Sequence, residues 1–132
     1  MKAITLLAAL AMIVMLETAV AQVKTQTKTH SFTIKQGATV PIGTYYQINK
    51  RSCQAGPSPK IVQTSKPTIG RLIIEETKIE PSQKQCKGFL IPGYVVRFAA
   101  GDKAGEEKIT YNVNYQSKAI GTWKVEDTII VQ

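Results

Sequence analysis

Lys108-Ile109-Thr110-Tyr111-Asn112-Val113-Asn114-Tyr115 is the stretch that decides the fold. Ile109, Tyr111, Val113 and Tyr115 share one parity, and Lys108, Thr110, Asn112 and Asn114 take the other. Successive side chains of an extended chain point to opposite faces, so this alternation describes a strand with one buried and one wet face. The same period runs outward in both directions. Upstream, Tyr94, Val96 and Phe98 alternate with Val95, Arg97 and Ala99. Downstream, Trp123, Val125, Ile129 and Val131 oppose Thr122, Lys124 and Glu126. Phe32 and Ile34 sit among threonines and serine, and 44–49, 60–64 and 71–79 are further β-rich runs. Turn residues punctuate these runs at Gln36-Gly37, Pro41-Ile42-Gly43, Gly56-Pro57-Ser58-Pro59, Pro67-Thr68-Ile69-Gly70, Pro92-Gly93 and 101–105. The expectation is an all-β, antiparallel β-sandwich of about seven or eight short strands. Glu80 to Gly88, the longest irregular piece, reads as a tethered surface loop.

The N-terminus carries a different signal. Lys2 precedes the apolar run Ile4 to Leu16, and Ala19-Val20-Ala21 closes it with small residues spaced for cleavage. The run ends at Glu17, short of the roughly 20 apolar residues that a membrane-spanning helix needs. Residues 1–21 are therefore expected to be a signal peptide, 22–28 a polar leader and 29–132 one folded domain. The short n-region and Ala-x-Ala site have a bacterial style, which places the expected product in the periplasm or outside the cell. Two cysteines, Cys53 and Cys86, follow the signal. Their spacing suits neither a CxxC pair nor a zinc knuckle, and an oxidising compartment favours a disulfide between them.

Around the opening stretch, Gly105-Glu106-Glu107-Lys108-Ile109-Thr110-Tyr111-Asn112-Val113 resembles a motif of bacterial Ig-like and cadherin-like modules, Gly-x-Asp-x-Phe-x-Tyr-x-Val. Glu107 takes the acidic place and Ile109 the Phe place. Phe98-Ala99-Ala100-Gly101 resembles the Tyr-x-Pro-x-x-Gly stretch ahead of that motif without its proline, and Pro67-Thr68-Ile69-Gly70 looks like the family's Pro-x-x-Gly turn. The resemblance covers roughly the second half of the chain and implies an Ig-like or cadherin-like sandwich. Tyr111 is expected to bury its ring and bond backbone across a corner through its hydroxyl, with Trp123 as a second structural aromatic. Such modules usually occur in tandem within adhesins, whereas this chain carries one, with a disulfide added.

Residue chemistry points away from catalysis. His30 is the single histidine, and all three methionines fall within residues 1–21. Copper and zinc sites lack ligands, and the acidic loop Asp102 to Glu107 carries Lys103 and no Asp-x-Asp spacing for calcium. No metal or other cofactor is expected. There is no Gly-x-Ser-x-Gly elbow, and Glu75 and Glu76 are strand neighbours that point to opposite faces.

The net charge is +8, and it stays so after loss of Lys2 and Glu17 together. A basic exported protein suits an acidic polysaccharide, an anionic lipid surface or an acidic protein; nucleic acid is not expected in that compartment. Lys50 and Arg51 precede Cys53, and Lys84 and Lys87 flank Cys86, so a disulfide would gather four cations, with Lys60 nearby. Such a cluster can hold sulfate, phosphate or carboxylate by charge-assisted hydrogen bonds. Of Tyr45 and Tyr46, one should face in and the other out. The leading expectation is a non-enzymatic binding or structural module that is not transmembrane. The alternative is a periplasmic inhibitor or accessory subunit of an enzyme acting through the stiff Gly56–Pro59 loop.

Overall fold

A computed structural model describes residues Lys24–Gln132; the expected signal peptide lies outside the described residues. Among the described residues seven strands form: β1 Thr25–Ile34, β2 Thr39–Tyr45, β3 Lys60–Gln63, β4 Gly70–Ile79, β5 Ile91–Ala100, β6 Gly105–Asn114 and β7 Thr122–Val131. A 3-10 turn, Lys84–Cys86, interrupts the loop after β4. Among the described residues, no helix is long and apolar enough to cross a membrane.

The strands make two sheets, ordered β1-β7-β6-β3 and β2-β5-β4. This is the sandwich expected from the alternation, and the inner faces supply its core. Ile109, Tyr111 and Val113 of β6 are fully buried, as are Val125 and Ile129 of β7 and Val96 and Phe98 of β5. The sandwich is not wholly antiparallel: β1 runs parallel to β7 from Thr25↔Thr122 to Ile34↔Val131. That pairing carries the first strand back to Thr25, into the stretch expected as a polar leader. Thr25 to Lys28 read as loose because Thr and Gln dominate there, yet their backbone is in register with β7. β2 ends at Tyr45, so the β-rich run 44–49 leaves the sheet halfway.

The exposed edges are blunted. β2 carries Pro41 and a register shift between Pro41 and Gly43, as suits a residue with no N–H to give. β3 is four residues long, and β4 carries Arg71, Glu75, Glu76 and Lys78.

Two sequence segments singled out separately meet in space. The Glu107 carboxylate accepts from the Thr68 N–H at 2.9 Å, the Thr68 hydroxyl at 2.7 Å and the Ile69 N–H at 3.2 Å. Burial pushes the Glu107 carboxyl up, but these three donors outweigh it and hold the group below its ordinary value. The start of β6 is thus pinned to the turn leading into β4.

Strand directions decide which loops share an end. β2 runs antiparallel to β5, and β5 to β4, so the β2–β3 connection (46–59) and the β4–β5 connection (80–90) emerge together. β3 and β7 both pair antiparallel with β6, which brings the β6–β7 connection (115–121) to the same end.

Candidate functional site at the stapled loop end

Covalent and polar contacts tie these three loops together. Cys53 and Cys86 are bonded, with their Cα atoms 5.3 Å apart. Gln85 donates from its amide to the Lys50 carbonyl at 3.2 Å. The Tyr46 hydroxyl donates to Gln83 Oε1 at 3.2 Å and accepts from the Ser82 N–H at 3.0 Å. On the other side, the Gln116 amide donates to the Ser58 carbonyl at 3.2 Å.

The loop 46–59 has its own internal order. Gly56 N–H donates to the Gln47 carbonyl and Asn49 N–H to the Gln54 carbonyl, so the segment folds as a small hairpin. At its tip the Asn49 carboxamide oxygen accepts from the N–H groups of Arg51 and Ser52, and Cys53 takes a left-handed φ of 59°. An Asx turn of this kind reverses the chain in few residues and delivers Cys53 to its partner.

Lys50, Arg51, Lys84 and Lys87 are all exposed on the two stapled loops, as the sequence suggested. Lys60 is exposed too, but it opens β3 and pairs through its backbone with Asn114. Lys118 of the 115–121 loop joins the same end, which sequence order gave no means to see. Across the three loops the only carboxylate is Glu80, and it is engaged with the Gly88 N–H at 3.1 Å. Gly88, with φ of 88°, then turns the chain. Phe89 and Leu90 follow, 50% and 66% exposed. Two adjacent large apolar side chains in water beside four cations are the least expected feature of this surface.

The Gly56–Pro59 segment differs from expectation. Pro59 is fully buried and the Ser58 carbonyl is bonded to Gln116, so only Pro57 projects. Pro59 seats the return leg of the hairpin, and Pro57 stays exposed beside it.

A groove flanks the loop end. One depression of about 380 Å³ is lined by Tyr46, Gln47, Lys50, Gln83, Tyr115 and Trp123, among others. A second, of about 350 Å³, shares Thr44 and Trp123 with it and adds Lys28 and His30. Wider depressions of about 590 and 650 Å³ elsewhere carry no aromatic side chain among the described residues. Trp123 is therefore half-buried in a groove wall. Tyr115 packs edge-on against it at 5.0 Å between centroids, and the Lys28 ammonium lies 4.8 Å from the ring centre. Burial pushes the Tyr115 hydroxyl up to about 12.

Behind this groove lies a buried polar chain. Asp127 is fully buried on β7, and its Oδ1 lies 2.9 Å from Nδ1 of the half-exposed His30 on β1. Burial raises the Asp127 carboxyl above its ordinary value, and the His30 contact offsets part of that rise. Nearby, the hydroxyls of Tyr45 and Tyr111 meet at 2.7 Å with their rings edge to face. Burial raises both. Tyr111 is inward as expected, but its hydroxyl meets another tyrosine and not backbone across a corner. Tyr45 faces in and Tyr46 lines the groove, resolving the pair. Asp127 escaped the sequence reading although a signal was present: it shares the parity of Val125 and Ile129, an acid in a core position.

No known protein family matches the chain, and no curated protein does. Among solved structures, it is similar to a chain described as "Structure of PbICP-C in complex with falcipain-2", at 16% identity and a TM-score of 0.31 over 86% of this chain and 93% of that one.

Proposed function

We propose that this chain is an exported, non-enzymatic binding module of the Ig-like kind that engages an anionic partner with its stapled loop end. The observation that carries the reading is the disulfide, which holds two cation-bearing loops 5.3 Å apart at their Cα anchors. A third loop adds Lys118, and only Glu80 opposes them. Loops already ordered lose little freedom on binding, so more of the contact energy is expressed as affinity. Exposed Phe89 and Leu90 among the cations match an interface with an apolar centre and a polar rim. Bonded cysteines suit an oxidising compartment outside the cytoplasm. In the inhibitor or accessory-subunit alternative the contact falls to these same three loops, because Pro59 is buried and Ser58 is engaged.

The test is positional. Binding of the whole protein to polyglutamate and phosphatidylglycerol vesicles is measured at low and high salt. Reversing Arg51, Lys84 and Lys87 to Glu should reduce binding at least tenfold. Reversing Lys35, Lys66 and Lys103, exposed at the opposite end, should leave it within twofold. Equal losses from both sets would reduce the effect to net charge and sink the reading.

A further inference from the structure

We infer that the groove between the loop end and the β1 edge is a subsite for a carboxylated sugar unit, such as a hexuronic acid within an oligosaccharide. The inference does not depend on the loop tip and concerns different residues, Lys50 apart.

The lining residues define the ligand class. Tyr46, Tyr115 and Trp123 supply ring surface, while Gln47 and Gln83 supply amide donors and acceptors beside them. A shallow wall of rings with interspersed amides suits a saccharide, whose C–H faces pack on rings while its hydroxyls find polar partners. The two depressions share Trp123 and together offer about 380 and 350 Å³, room for a short oligomer and not for a single small ion.

Charge makes the sugar acidic. Among the described residues no carboxylate lines either depression, but Lys50 stands in one and Lys28 in the other. Neither lysine takes part in any ion pair among the described residues. Lys28 instead rests on the indole at 4.8 Å, a weak partner that a carboxylate would readily replace. His30 adds a third polar group: Asp127 fixes its ring through Nδ1, and the imidazole lines the same depression as Lys28. A buried acid that orients a half-exposed histidine serves a binding wall well, because the ring is held before any ligand arrives. A neutral glucan would leave both ammonium groups without a counter-charge, so selectivity for the acid is part of the inference.

Trp123 is the single tryptophan, so the groove carries its own reporter. The probe is trigalacturonic acid, titrated into the intact protein while tryptophan fluorescence is followed, with maltotriose as the neutral counterpart. The expected result is a saturable change with the acid and at least tenfold weaker binding of the neutral sugar. Lys28→Gln with Lys50→Gln should weaken the acid at least tenfold. The loop-tip variant of Arg51, Lys84 and Lys87 should stay within twofold. Calorimetric titration of the same variants supplies a readout independent of the indole, and far-UV dichroism confirms that they fold. The inference is overturned by no saturable change, by equal binding of the two sugars, or by loss in the loop-tip variant alone. That last outcome would leave the loop-end reading standing, so the two fail separately.

Discussion

Removing the hydroxyl of Tyr45 or of Tyr111 should cost stability, and removing both should cost little more than neither. The hydroxyls lie 2.7 Å apart; Tyr111 is fully buried and Tyr45 is 6% exposed. Each is the other's hydrogen-bonding partner among nearly fully buried side chains. Tyr45→Phe loses a hydrogen bond worth about 1 kcal/mol net and strands the Tyr111 hydroxyl at a desolvation cost of about 1–3 kcal/mol. A single substitution is therefore expected to cost about 2 kcal/mol. In the double variant no hydroxyl is stranded, and the expected loss falls to about 1 kcal/mol or less. The cycle should then return a coupling of about 2–3 kcal/mol, well beyond the few tenths expected of independent sites. Guanidinium unfolding of the four proteins measures it, with an unchanged m-value required so that the midpoints report stability alone. At roughly 4–8 °C per kcal/mol, each single variant should also melt about 10 °C lower. Additive losses, or single variants within about 0.5 kcal/mol of wild type, would refute the pairing.

Two further outcomes follow from the covalent and charged clamps. Cys53→Ser with Cys86→Ser opens a link spanning 33 residues and should cost about 3–4 kcal/mol on the chain-entropy account, seen as a lower melting temperature by calorimetry; a loss under about 1 kcal/mol would mean that the loops order without the link. The Glu107 carboxyl is held below its ordinary 4.5, so its contribution is present above that pH and is lost as pH falls through the lower folded value. Glu107→Gln should therefore cost about 1 kcal/mol at pH 7 and converge with wild type on acidification, and a pH-independent difference in urea titrations would count against the clamp.

The strands were legible in the sequence because period-two alternation is a local property. β6 and β7 can be read residue by residue from Ile109 to Val131, and the cysteine pairing follows from there being two cysteines. What escaped depends on neighbours distant in sequence. Lys118 joins the cationic end only because β6 and β7 return there, and no local pattern encodes that. Phe89 and Leu90 carry no local signal of their exposure, since exposure of an apolar pair is decided by what fails to cover it. Thr25 to Lys28 looked loose because their ordering comes from the β7 backbone and not from their side chains. Trp123 was grouped with the core by parity, but it sits at the start of β7, where the sandwich opens into the groove. Asp127 was the one local clue passed over. An acid at a core position needs a partner, and the single histidine was the candidate.

The parallel contact between β1 and β7 sets the order in which this domain can be completed. Ten residue pairs join Thr25–Ile34 to Thr122–Val131, each bridging 97 positions of chain. β1 therefore waits for β7, and the larger sheet cannot close on a nascent chain that still lacks that strand. Contacts of such long range slow folding, because loop closure precedes any reward. Once β7 arrives, the two ends lock side by side, and a fragment missing either end forfeits the same seam.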